Sequence, residues 1–451
     1  MNGPRLPVTW PLAVLFVAFP LWWLLGVSSF IWPVVAIPML VILLRWRRVN
    51  APVPIILWFA FLSWVLLSGL QLDGGGSKVA TFAYRLSLYA AASVLFLYVY
   101  NMPRSGRTDT KVLRILTVFW IVVVAGGYAG IVLRSATFNP PIEHLIPPSL
   151  MQKPFMQELV QPVFAEITNF LGYPLARPAA PFTYTNEWGG NIAALTPVAF
   201  AAATAAGRGL RRRIIIVVLV ASLVPMVISL NRGMFLSLAI GIVYVIVRLA
   251  MRGRVGALAS LLALTGVAVA VVALTPLGHL VFASFDSTHG NSNATRLSLY
   301  QQVTAAVSQS PWFGFGAPKP VTTGVGQVPG TPAIGTQGQL WMVLYSSGYP
   351  AAVLFIGFYL AVLWQTRHAR GMVGLWLHTV PLVALAQIAV YGWLSAEVQV
   401  VMVTCALAYR SCWRPVSALA RSGSEDPAVP SPDVPGGSGV SKRGSGVVAV
   451  R

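Results

Sequence analysis

The sequence predicts an all-α polytopic membrane protein of about 12 transmembrane helices with two long extracytoplasmic loops. Three observations predict it. Hydrophobic residues make up 56% of the 451 residues, charged residues only 9%, and the mean hydropathy is +0.73, whereas a soluble domain carries roughly 25% charged residues. Apolar runs near the length that crosses a bilayer, about 20 residues, recur along the chain. Basic residues come in short clusters between those runs, so the net charge of +20 reads as a topological signal and not as a nucleic-acid one.

Taken in order, helices are expected near residues 10–27, 30–44, 53–70, 79–100, 112–133, 187–206, 213–230, 233–250, 255–275, 338–364, 372–391 and 394–410. The first pair is the least regular. Pro20, Pro33 and Pro38 interrupt it, so it forms either two tight spans or one span plus a re-entrant piece. The first run has no small-residue cleavage site and is expected to be a retained helix. Cys405 and Cys412 lie seven residues apart on one helical stretch, roughly 10 Å by helical rise, which is too far for a disulfide.

Charge orients the bundle. Alternate loops hold Arg45, Arg47 and Arg48; Arg104, Arg107, Lys111 and Arg114; Arg208, Arg211, Arg212 and Arg213; Arg248, Arg252 and Arg254; and Arg367 and Arg370. The opposite loops, although two are much longer, hold only Lys78, Arg134, Lys153, Arg177, Arg232, Arg296 and Lys319. The positive-inside rule then places both termini in the cytoplasm and the protein in the cytoplasmic (inner) membrane. Residues 1–410 form the membrane domain. The long loops 134–186 and 276–337 lie outside, and loops of that length in a compact bundle are usually functional. Residues 411–451, rich in Gly, Ser, Pro and Val, form a cytoplasmic tail expected to be disordered. No internal repeat of the inverted-repeat transporter kind stands out.

A few outer arginines are not required by topology. Arg232, in Ser229-Leu230-Asn231-Arg232-Gly233, sits at the junction of two apolar helices. It either snorkels to headgroups or binds an anion, because a guanidinium at membrane depth is costly unless paired. Arg296 follows Asn293, which reads as the N-cap of an amphipathic helix to about Ser310 with Leu297, Tyr300, Val303 and Val307 on one face. In that reading Arg296 falls in the first helical turn, where it opposes the helix dipole unless an anion sits at the helix start. Arg85 lies inside the fourth helix. It is either functional or paired with an acidic residue such as Glu187 or Glu397. Those two carboxyl groups abut helix ends, and each is a candidate general base or an ion-pair partner. There is no P-loop, no His-Glu-x-x-His, no clustered His or Cys and no Asp-x-Asp, so no metal or cofactor is expected.

Several stretches resemble the O-antigen ligase and O-antigen polymerase superfamily of bacterial membrane glycosyltransferases. They are Ser229 to Gly233; Arg296 to Tyr300 followed by Pro311-Trp312-Phe313-Gly314-Phe315-Gly316; Thr336-Gln337-Gly338 leading to Gly348; and Pro181-Phe182-Thr183-Tyr184-Thr185-Asn186 before a helix. The resemblance implies transfer or polymerisation of an undecaprenyl-diphosphate-linked glycan on the extracytoplasmic face, without metal or nucleotide, to a glycan or lipid acceptor. It implies that Arg232 and Arg296 hold the diphosphate; Arg85, from its place inside a helix and apart from the resemblance, is a further substrate-binding candidate. The family has a histidine where this chain has Gln337, and glutamine orients an acceptor or phosphate but takes no proton at neutral pH. Either another group, Glu187, Asp286 or His289, deprotonates the acceptor, or proton removal is late and needs little help, or the chain has lost transferase activity. Trp312, Phe313 and Trp341 are candidates for sugar or lipid contact, or else belong to an interfacial aromatic belt. The competing classes are a transporter or flippase of a lipid-linked or anionic substrate and a catalytically silent partner in polysaccharide assembly.

Overall fold

The computed structural model describes residues 7–412 except 74, 153, 171–172, 275–288, 319–321, 324–325, 328–337 and 394. The expected tail, Gln337 and Asp286 fall outside the described residues. The protein is mostly helical. Its first half contains α1 (Trp10–Phe16), α2 (Phe19–Leu24), α3 (Ile31–Leu44), α4 (Ile55–Ser68), α5 (Gly76–Asn101), α6 (Gly106–Val132), α7 (Pro148–Met151) and α8 (Pro154–Val160). A hairpin of β1 (Ala165–Phe170) and β2 (Tyr173–Pro178) follows, paired antiparallel with Glu166 opposite Arg177. The second half contains α9 (Thr185–Ala205), α10 (Leu210–Ile228), α11 (Arg232–Met251), α12 (Val255–Leu274), α13 (His289–Val307), α14 (Gln339–Thr366), α15 (Gly371–Gln387) and α16 (Ala396–Ser411). Among the described residues, Lys78–Asn101, Gly106–Val132, Arg232–Met251 and Gln339–Thr366 are long and apolar enough to cross a membrane; Ile31–Leu44, Ile55–Gln71, Val255–Val267 and Gly371–Gln387 are shorter apolar helices.

Three expectations change. The first span is not one helix: it breaks at Val17–Ala18, and α2 restarts with Pro20 in its first turn, where a missing N–H costs nothing. The loop 134–186 is not bare coil but carries short helices and the hairpin. The amphipathic helix starts at His289, not after Asn293, which puts Arg296 at its eighth residue, beyond the first turn. Leu297 is also 58% exposed, while Leu299, Val303 and Val307 are buried. The reason is rotational: at 100° per residue, Leu297 lies about 120° from the centre of the stripe that those three define.

A small-residue face lets the interior close. Gly126, Gly127 and Gly130 on α6 leave room for the Ala180 carbonyl, the Trp188 ring and the Phe164 carbonyl, each within 2.8 Å of where a Cβ would stand. The Trp188 indole N–H donates to the Val123 carbonyl at 2.9 Å. Phe182 inserts beside Phe19 and Phe119 and so fixes the chain just before α9. At the opposite, arginine-rich end, Arg410 donates to Asp109 at 2.5 Å and to the carbonyls of Val99, Tyr100, Met102 and Pro103. It satisfies the terminal carbonyls of α5 that no helix can satisfy internally. Arg248 likewise donates to the Arg367 carbonyl at 2.7 Å, so several of the basic clusters that alternate in sequence meet at one end of the bundle.

Candidate functional site

At the end away from those arginines, three chain breaks meet. The first is the start of α9. Glu187, only 4% exposed, lies in its first turn and accepts from the Thr183 backbone N–H at 3.3 Å and from the Ser395 hydroxyl at 2.9 Å. The second is the α10–α11 junction, where Leu230 takes a left-handed φ of 49° and Asn231 precedes Arg232, the first residue of α11. The third is the unwound stretch between Gln387 and Ala396, shorter in helix than the expected 372–391.

Side chains tie these breaks together. Asn231 donates from Nδ2 to the Thr185 carbonyl at 3.0 Å and accepts from the Tyr391 hydroxyl, which in turn accepts from the Met234 N–H at 2.8 Å. Gly233 lets the Tyr391 ring approach, since a Cβ there would stand 2.8 Å from its hydroxyl. From the hairpin, Arg177 donates through Nε to the Ser229 carbonyl at 2.7 Å, and Thr185 donates to the Arg177 carbonyl at 3.2 Å. The start of α14 closes the third side. The backbone N–H groups of Gln339 and Leu340 donate to the carbonyls of Tyr391 and Ile388 at 2.6 and 2.8 Å, and the Tyr300 hydroxyl and Trp341 indole both donate to the Ala389 carbonyl at 3.0 Å. Exposed helix ends in two elements thus satisfy one another, which is why the chain unwinds there without burying orphan groups.

The cluster has carboxyl groups on its floor. Glu397 is fully buried, neither of its oxygens has a hydrogen-bond partner among the described residues, and Glu187 is an electrostatic neighbour. It rests on Gly190, where a Cβ would stand 2.2 Å from Oε2. Arg85 forms no ion pair with either carboxylate among the described residues. The pairing considered from the sequence is therefore absent. The structure sets Arg232 and Glu187 at neighbouring chain breaks: Asn231, next to Arg232, bonds the Thr185 carbonyl and Tyr391, and Glu187 accepts from Ser395 on the same unwound stretch. Arg85 stands apart, reached through Tyr89, which accepts from the Gln339 amide at 2.6 Å.

The resembling motifs acquire geometric roles. Pro311 to Gly316 lies on the broken part of α14: Phe315 and Gly316 donate to the carbonyls of Tyr345 and Ser346 at 3.0 and 2.8 Å, and Tyr349 donates to the Pro311 carbonyl at 2.9 Å. Gly348 breaks that helix with φ 77° and ψ −177°. A side chain at Gly348 would meet the Trp312 carbonyl, and one at Gly314 the Tyr345 carbonyl, each at 2.4 Å. Of the aromatic candidates, Trp341 stacks on Tyr300 at 4.3 Å and Phe313 on Trp64 at 5.1 Å, while Trp312 is 66% exposed.

Sequence reasoning missed Arg177, Asn231, Tyr391 and Ser395 as members of the site. Of these only Asn231 carried a signal, its adjacency to Arg232. The helix-start argument made for Arg296 transfers to Arg232, which is the residue that opens a long helix. Arg296 is part of α13, four residues before Tyr300 on the same helical stripe. Residues 216–341 match the family model described as O-Antigen ligase, which supports placing the chain in the O-antigen ligase and polymerase superfamily. The matched stretch contains Arg232, Arg296, Gln337 and the Pro311–Gly316 motif; Arg85, Glu187 and Gly348 lie outside it. No curated protein matches the chain.

Proposed function

We propose that this membrane protein, which carries an O-antigen ligase domain over residues 216–341, transfers or polymerises a glycan from an undecaprenyl-diphosphate carrier on the extracytoplasmic face of the inner membrane. The observation that carries the reading is the junction at Arg232. A guanidinium stands at the N-terminus of a 20-residue helix, beside a buried network that holds Glu187 and the unwound stretch before α16. A cation at a helix start is unfavourable by itself, and an anion there is stabilised by both the guanidinium and the positive end of the helix dipole. In this reading Arg232 and Arg296 hold the carrier's diphosphate and stabilise the negative charge that grows on it as the sugar–phosphate bond breaks.

An acceptor hydroxyl must lose a proton in the same step. Glu187 is the candidate base, because its carboxyl group is positioned by Thr183 and Ser395 at a chain break next to the one that holds Asn231 and Arg232. Gln337 is assigned an orienting role toward acceptor or phosphate, since an amide hydrogen-bonds but does not take up the proton. In this reading the chain crosses the membrane about twelve times with both termini in the cytoplasm, as the arginine clusters require; four helices among the described residues are long and apolar enough to cross by themselves.

The test is reconstitution. Purified protein in lipid, given labelled undecaprenyl-diphosphate glycan and envelope-derived acceptor fractions, is expected to release undecaprenyl diphosphate and form a new glycosidic bond. Arg232→Gln and Arg296→Gln are each expected to lower turnover by about 100-fold or more with the fold retained. Glycan translocation between leaflets with no new glycosidic bond would replace the reading with a transporter. Neither reaction with any acceptor fraction would leave the silent-partner reading.

A further inference from the structure

A second set of donors lies away from the Arg232 junction, and no group among the described residues satisfies it. Arg85 stands on α5 ten residues from its start, roughly 14 Å along the axis. Its Nη1 is buried without a hydrogen-bond partner, and so is the hydroxyl of Ser346, a residue only 8% exposed. Both line one small pocket with Tyr89, Ser347 and Gly316. The Tyr89 hydroxyl already accepts from Gln339, which leaves its own proton to donate. The electrostatic neighbours of Arg85 are the phenols of Tyr84 and Tyr89, with no carboxylate among them. The remaining walls, including Val65, Phe82 and Met342, are apolar.

The pocket exists because α14 is broken. Ser346 and Ser347 come just before Gly348, and Gly316 is fastened over them by its bond to the Ser346 carbonyl. A guanidinium nitrogen buried with an open donor is unfavourable unless a partner arrives, and the polar side chains that line this space, those of Arg85, Tyr89, Ser346 and Ser347, all carry donors.

We propose that this pocket binds one small anionic group, a phosphate or a carboxylate, carried by the second substrate of the transfer and separate from the diphosphate at Arg232. The assignment to the second substrate rests on the proposed function; the anion site itself does not. The pocket communicates with the Arg232 junction through Tyr89, Gln339 and Tyr391, a path that sets two bound groups on opposite sides of the stretch before α16. An acceptor anchored here by its charge would present a neighbouring hydroxyl toward that junction.

The experiment uses the full chain in lipid nanodiscs, with inorganic phosphate and acetate as probes and thermal unfolding as the readout. Either anion is expected to raise the Tm saturably, and the preference between them tells phosphoryl from carboxyl. Arg85→Gln is expected to weaken binding about tenfold or more, Ser346→Ala by a few-fold, and Arg85→Lys to restore part of the affinity. Arg232→Gln is expected to leave it unchanged. Absence of saturable binding, or binding unaltered in both Arg85→Gln and Ser346→Ala, overturns the site. If Arg85→Gln fails to fold, Ser346→Ala decides alone. Displacement of the probe by undecaprenyl diphosphate overturns the assignment to the second substrate, since the pocket would then belong to the donor. Loss of anion binding with transfer intact removes only the pocket; intact binding in a protein that never transfers glycan removes only the proposed function.

Discussion

At the scale of single residues, buried polar groups carry the information. Arg410 is the clearest structural case. Its side chain is 2% exposed and engages Asp109 together with four backbone carbonyls. Arg410→Ala is expected to lower unfolding stability by about 3–5 kcal/mol, because it strands buried acceptors. Asp109→Asn is expected to cost under about 1 kcal/mol, because Asp109 is 41% exposed; denaturant titration in detergent compares the two. Glycine at 190 is the counterpart in the site. Gly190→Ala pushes a methyl group into the Glu397 carboxyl and is expected to cost about 1–3 kcal/mol by overpacking. Part of that loss is expected to return in the Gly190→Ala, Glu397→Ala double variant, the non-additivity of two groups that touch. The arginines at 232 and 85 were visible in sequence as charges out of place. What surrounds each was not, because the groups around them come from residues 185, 391, 339 and 346, which no local pattern links to them.

Among elements, α14 and the Pro311–Gly316 segment behave as one unit. Each needs glycine where the other's carbonyls approach, and Gly348 in addition occupies a left-handed φ. Gly348→Val is expected to detach the segment, lower thermal stability by about 2 kcal/mol or more and abolish transfer. Gly256→Val, at an open position on α12, is the control that leaves both unchanged, and melting curves with the turnover assay compare them. Tyr300→Phe removes the bond to the Ala389 carbonyl and keeps the stacking on Trp341, so its expected cost is about 0.5–1.5 kcal/mol. Helix α13 shows what periodicity resolves and what it does not. Val303 and Val307 were assigned to the inner face from spacing alone, and both are buried. The helix start was misplaced because Asn293 is a good cap by residue type, yet His289–Asn293 continues the helix.

On the scale of the whole molecule, two ends of unlike chemistry define the bundle. Arg410 with the end of α5 and Arg248 with the end of α14 gather at one end; the breaks at Thr185, Arg232, Gln339 and Ser395 gather at the other. Cysteine substitutions at Arg107 and at Ile146 test the orientation. In intact cells a membrane-impermeant thiol reagent is expected to label Ile146→Cys and to leave Arg107→Cys unlabelled until the membrane is opened. The reverse pattern would invert the topology and move the site to the cytoplasm.

Sequence alone determined the membrane class, the helical architecture and the positions of most helices, because hydropathy and charge act on each segment separately and need no partner. It also located Arg232, since a cation between two apolar runs is anomalous wherever the rest of the chain goes. Only the tertiary structure decided what surrounds it. The unwound stretch before α16, the burial of Glu397 and the pocket at Arg85 all depend on contacts between residues tens to hundreds of positions apart. Those contacts exist because buried backbone ends must find donors and acceptors wherever the fold supplies them.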